Sequence, residues 1–105
     1  MSYTIPTFNI KSNAVKNVDN FDISEIIDDV DLFYRRIVGY ILNRIENVET
    51  NNILCYIIDS TNHRQAMLLD KKGWPKAIER AMTYFEQIEE YETCDLIKQI
   101  KTTLK

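Results

Sequence analysis

The densest group of potentially reactive side chains lies in "DSTNHR", residues 59–64, where Asp59, Ser60, His63 and Arg64 fall within one short stretch. A Ser-His or Cys-His pair, or a zinc site, would have to be built around His63, which is the only histidine. Ser60, Thr61 and Asn62 are residue types that make turn and capping bonds, so the stretch reads as a turn before it reads as a catalytic group. A second candidate is the acidic run "DISEIIDDVD", residues 22–31. Its Asp28, Asp29 and Asp31 could offer oxygen ligands to a hard cation, but helical spacing spreads them over more than one face. The solvated first half of a helix is the preferred reading. With glycine only at 39 and 73, no glycine-rich phosphate loop can be assembled. No residue is therefore assigned to catalysis, to a cofactor or to a metal, and a non-enzymatic role is expected.

The remaining chemistry is that of contact. Trp74 stands beside Lys71, Lys72 and Lys76, where it could stack on a base, anchor a protein partner, or pack at a helix start. Tyr84 and Tyr91 flank a core stripe that includes Phe85, and Asp28 and Asp29 lie in an acidic block that meets no basic residue between Lys16 and Arg35. The expected partner-binding residues are thus Trp74, Lys71, Lys72, Tyr84, Tyr91, Asp28 and Asp29. A second acidic block runs from Glu86 to Asp95, and the stretch between the blocks is basic at Arg64, Lys71, Lys72, Lys76 and Arg80. The net charge of −3 is mild, and no continuous basic face for nucleic acid is evident. This segregation favours a protein partner with a helical or basic surface, or self-association as a homodimer.

A chain of 105 residues, 45% hydrophobic and 28% charged, fits one soluble domain. No apolar run approaches the roughly 20 residues that span a bilayer, and "MSYTIPTFNIKS" lacks the layout of a secretory signal, so a cytoplasmic protein without a membrane role is expected. Cys55 and Cys94 have no CxxC spacing and read as reduced, partly buried thiols. Residues 1–20 are expected to form an extended arm or a lone edge strand, and 21–105 a single helical domain.

Asp22 and Glu25 are spaced as a capping box, and apolar residues from Ile23 through Tyr34 and Ile41 to Val48 recur in steps of three and four, which predicts a long helix ended by "ENVETNN". Gly39 inside it suggests a close helix crossing. "ILCYII", residues 53–58, fits a buried strand or a buried helical turn. The following "HRQAMLLDKKG" reads as a short helix with Gly73 as a left-handed cap, so helix is chosen for 53–60. The overall expectation is a mainly α bundle, with an α+β fold carrying a short strand or hairpin around 53–70 as the alternative.

Pro75 suits the first turn of a helix whose stripe is Ala77, Ile78, Ala81, Met82, Phe85 and Ile88. A straight continuation would bring Glu92, Asp95 and Gln99 onto that stripe, yet the apolar residues fall at Cys94, Ile97, Ile100 and Leu104. A break near residues 89–91 that folds a second helix back on the first resolves the mismatch. One long helix inserted between two partners is the other solution.

The run "IERAMTYFEQIEEYETCDLIKQI", residues 78–100, resembles the UVR motif, a short helical hairpin of bacterial excision-repair subunits and some regulators, with Met82, Tyr91, Glu92, Cys94, Ile97 and Lys98 at matching places. Thr93 and Cys94 stand where that pattern has paired alanines, and Lys98 and Gln99 where it has Arg-Asp. The resemblance covers about the last third of the chain and implies docking on another helical hairpin. The function expected from the whole sequence is a small protein-binding module, an adaptor or an inhibitor, with the richness in Ile and Asn suiting an AT-rich, phage-derived gene. The alternative is a nucleic-acid-binding or nucleic-acid-mimicking regulator.

Overall fold

A computed structural model describes residues 4–10, 27–59 and 61–104. The element order is β1 (Thr7–Asn9), α1 (Val30–Ile45), β2 (Ile53–Ile58), β3 (Arg64–Leu68), a 3-10 turn at Lys71–Gly73, α2 (Trp74–Gln87) and α3 (Tyr91–Leu104). Three helices and a three-stranded sheet make an α+β fold, which is the alternative of the two sequence expectations. No helix among the described residues is long and apolar enough to cross a membrane.

The sheet order is β1-β2-β3, with β1 parallel and β3 antiparallel to β2. Ile53–Ile58 of the helix expected at 53–60 is therefore a strand, and so is Arg64–Leu68 of the short helix expected after it, of which Lys71–Gly73 forms a 3-10 turn. Physical chemistry on both sides explains the correction. The run Ile53–Ile58 is β-branched and aromatic, and it finds hydrogen-bonding partners on both edges. Arg64–Leu68 is made of good helix formers, but pairing with β2 outweighs that local preference. The register slips between Ile53 and Cys55, so Leu54 and Cys55 are both buried although they are neighbours in a strand. Along β1 only Phe8 is buried, as strand alternation requires.

Helix α1 begins later than its apolar pattern suggested. Ile27 bridges to Ile10, the Asp28 amide donates to the Asn9 carbonyl, and Asn9 donates back to the Asp28 carboxylate. Backbone groups committed to β1 cannot enter a helix, and Asp29 caps the N-terminus by accepting from the Leu32 amide. The capping box at Asp22 and Glu25 lies outside the described residues. At the other end "ENVETNN" stops the helix as expected. Asn47, at φ 61°, takes the left-handed position of a Schellman cap, with Asn47 N–H donating to Arg44 and Val48 N–H to Asn43. Gly39 makes no close crossing, since a Cβ there would meet nothing within 4 Å.

The helical pair turns where the apolar stripe changes phase. Glu89 adopts φ 59°, its N–H donates to the Glu86 carbonyl, and the Glu90 N–H reaches back to Phe85. This is again a Schellman cap, built on glutamate where glycine is usual. Ile78, Ala81, Met82 and Phe85 on α2 then share a core with Cys94, Ile97 and Ile100 on α3. The long-helix alternative is thereby excluded within the chain. Tyr91, at 63% exposure, and Ile88, at 45%, lie outside that core.

Candidate interaction cleft

Helix α1 holds the two halves of the molecule by different means. Toward the sheet, Arg36 is buried against Glu49, with Nη2 at 2.5 Å and Nη1 at 3.0 Å from the two carboxylate oxygens. Its remaining donors reach the carbonyls of Leu54 and Ile53. Tyr40 donates to the Leu69 carbonyl at 2.8 Å, and Arg44 bonds both the Tyr40 hydroxyl and the Asn51 carbonyl. These bonds tie α1 to the start of β2 and the end of β3. Toward the helical pair the contacts are aromatic: Tyr34 stacks on Tyr84 at 4.8 Å, and Tyr84 meets Phe85 edge-on.

Between the two attachments lies an apolar cleft of about 200 Å³. Phe33, Tyr34 and Ile37 of α1 form its floor, Leu54 and Met67 one wall, and Ala77 of α2 the other. Leu69 closes the end near Gly73, where a Cβ would come within 2.9 Å of the Leu69 side chain. Gly73 has φ −86°, so it is not the left-handed cap expected from the sequence; its smallness makes room for Leu69 instead. Lys76 and Arg80, one helical turn apart, stand on the α2 rim and are exposed. The volume is below the roughly 300 Å³ at which small-molecule sites begin, and suits one or two apolar side chains better than a cofactor.

The sequence-derived contact residues are dispersed. Trp74 is 5% exposed and packs edge-on to Tyr40 with Arg44 over its ring, so the ring has no free face for a base or a partner. The amphipathic pattern of α2 draws it inward, and its Nε1 has no hydrogen-bond partner. Lys71 and Lys72 are exposed in the 3-10 turn. Tyr84 is half-buried and donates to Asp31 at 2.7 Å, and burial with that carboxylate pushes its hydroxyl up to about 12. Tyr91 is on the surface. Asp28 and Asp29 are engaged in the β1 junction and the α1 cap. These seven residues do not form one patch. The cleft was missed because its lining comes from four elements, two of them read with the wrong period.

A second polar cluster joins α1 to the helical turn. Arg35 bonds Asp31 at 2.6 Å and Glu90 at 2.6 Å, and Glu90 also accepts from Thr93. The Arg35 guanidinium holds both carboxyls below the usual range, helped by Tyr84 at Asp31 and by Thr93 at Glu90.

The stretch flagged for chemistry is a strand-connecting turn. Asp59 accepts from the Thr61 and His63 amides and from the Thr61 hydroxyl, chiefly the last of which lowers its pKa. Thr61 Oγ1 lies 2.7 Å from both the Asp59 carboxylate and His63 Nδ1. An ionised carboxylate only accepts, so the hydroxyl proton goes to Asp59 and His63 Nδ1 donates to the hydroxyl. That polarity is the reverse of what an activated nucleophile needs. Ser60 lies outside the described residues. Among the described residues no group of three or more His, Cys, Asp or Glu is arranged to hold a metal ion. Cys55 and Cys94 are buried free thiols, and burial pushes Cys55 up to about 12, which keeps it neutral and unreactive.

No family model matches the chain, and neither a curated protein nor a solved structure does.

Proposed function

We propose that the chain is a small non-enzymatic protein-binding module, an adaptor or inhibitor, that receives an apolar side chain of its partner in the cleft between α1, β3 and α2. The observation that carries this reading is the cleft itself: an apolar floor at Phe33 and Ile37 with Lys76 and Arg80 on one rim. Burying one leucine- or phenylalanine-sized side chain there contributes about 1.5–3 kcal/mol to binding. The exposed Lys76 on the rim favours a partner segment with an acidic residue beside its apolar anchor. Of the acidic blocks from which a basic partner was expected, Asp28, Asp29, Asp31 and Glu90 are engaged in bonds within the chain, while Glu86, Glu89, Glu92 and Asp95 are exposed.

The test uses proteins captured from the native host by the full chain. Ala77→Phe fills the cleft and Lys76→Glu reverses its rim, while Lys98→Glu alters an exposed position on α3. The expected result is a saturable partner whose binding is lost with Ala77→Phe, weakened with Lys76→Glu and unchanged with Lys98→Glu. Absence of any saturable partner, or equal binding by all three variants, overturns the proposal.

A further inference from the structure

The sheet has two edges of unequal character. Strand β1 is three residues long and directly follows Pro6, which has no amide hydrogen to offer. Strand β3 is five residues long, has neither proline nor bulge of its own, and forms the other edge of the sheet among the described residues. Its side chains at Arg64, Gln65, Ala66 and Leu68 are exposed, Leu68 to 59%.

Which backbone groups face outward follows from the ladder. The His63 carbonyl accepts from Asp59, and the Leu69 amide donates to Asn52, so both residues turn toward β2. Alternation along an antiparallel strand then directs Gln65 and Met67 toward β2 and leaves Arg64, Ala66 and Leu68 facing the open side. The opposite strand agrees: Tyr56 and Ile58, registered with Ala66 and Arg64, spend their groups on the β1 side through Pro6 and Ile10.

We propose that a second copy of this chain pairs with this edge, β3 against β3, antiparallel about a two-fold axis at Ala66. Ala66 then faces its own equivalent, and Arg64 faces Leu68 of the second copy. All the outward-facing residues become hydrogen-bonded pairs at once, which a shift of one residue would prevent. Charge selects the direction. Arg64 lies at one end of the edge and exposed Asp70 just beyond the other. Antiparallel pairing sets Arg64 diagonal to Asp70 of the second copy, about 7–8 Å between backbones and within reach of an arginine. Parallel pairing would set like charges together. The exposed Leu68 is covered on both sides, and the two clefts come to lie on one side of a sheet with three strands from each copy.

Sedimentation equilibrium of the full chain over a concentration series tests this. Wild type is expected to dimerise. Ala66→Pro should be monomeric with an unchanged circular dichroism spectrum, because the amide it removes makes no bond to β2. Arg64→Asp should weaken the dimer at least tenfold, and Arg64→Asp with Asp70→Arg should recover most of that loss. Should Ala66→Pro lose its fold, the charge exchange decides alone. A wild type that stays monomeric up to about 1 mM overturns the proposal. So does a dimer indifferent to both the Ala66→Pro and Arg64→Asp changes, or a charge exchange that fails to restore association.

Discussion

The two hairpins on either side of α1 share one apolar core with it but differ in the contacts that supplement that core. The β2–β3 half is attached through buried polar groups, Arg36 with Glu49 and Tyr40 with the Leu69 carbonyl. The α2–α3 half is attached through apolar and aromatic surface, with an ionic tie from Arg35 of α1 to Glu90 at the rim. Apolar packing tolerates small shifts, whereas a buried ion pair is satisfied in one geometry. The sheet is thus oriented by directional bonds and the helical pair by packed area. The cleft lies where the two kinds of attachment meet.

The largest loss is expected at the buried ion pair. Glu49→Ala leaves the Arg36 guanidinium buried without its carboxylate and should cost about 3–5 kcal/mol. Chemical denaturation measures the loss, and amide exchange should show it first across residues 53–68. Replacing both partners, Arg36→Met with Glu49→Leu, should recover only part of it, because the Ile53 and Leu54 carbonyls lose their donors. On the apolar side, Ile97→Ala removes a fully buried side chain and should cost about 2–4 kcal/mol, with the exchange increase spread over α2 and α3. Similar exchange patterns for the two variants would erase the distinction between the halves.

A stabilising change sharpens the account of the helical turn. Glu89 occupies a left-handed conformation that costs an L-residue roughly 1 kcal/mol, so Glu89→Gly should raise stability by up to that amount in thermal or urea melts. A loss instead would mean that glycine's added freedom in the unfolded chain outweighs the relieved strain.

The smallest effect is a pH dependence at the rim. Asp31 and Glu90 have folded values depressed below their ordinary 3.8 and 4.5, chiefly by Arg35. Their contribution is therefore present above those ordinary values and is lost as pH falls through the depressed folded ones. Arg35→Gln should flatten the loss of stability between about pH 5 and pH 3 while changing the neutral value little, as exposed pairs contribute little. An acid slope identical to wild type would remove Arg35 as its cause.

How much of this was legible follows from the same contrast. The phase slip from Phe85 to Cys94 located the helical turn without a glycine, because side-chain periodicity records burial directly. The body of α1 and its end after Ile45 were legible for the same reason. The strands were not. "ILCYII" has no period of its own, since the slip at Leu54 buries two neighbours, and "RQAML" carries helix propensity that only pairing overrides. The late start of α1 depends on bonds to Asn9 and Ile10, far away in sequence. The cleft joins residues from both misread strands to α1 and α2, so local pattern could not reveal it. Trp74 looked available because lysines surround it, yet the helical stripe to which it belongs faces inward.

In the proposed function, partners are received in the seam between the two halves. Amide exchange of the full chain, with and without the partner captured from its host, tests it most directly. Added protection is expected in β3 and the first two turns of α2, residues 67–80, with α3 unchanged. Protection confined to the helical turn around Ile88 and Tyr91, with the cleft unaltered, would contradict it.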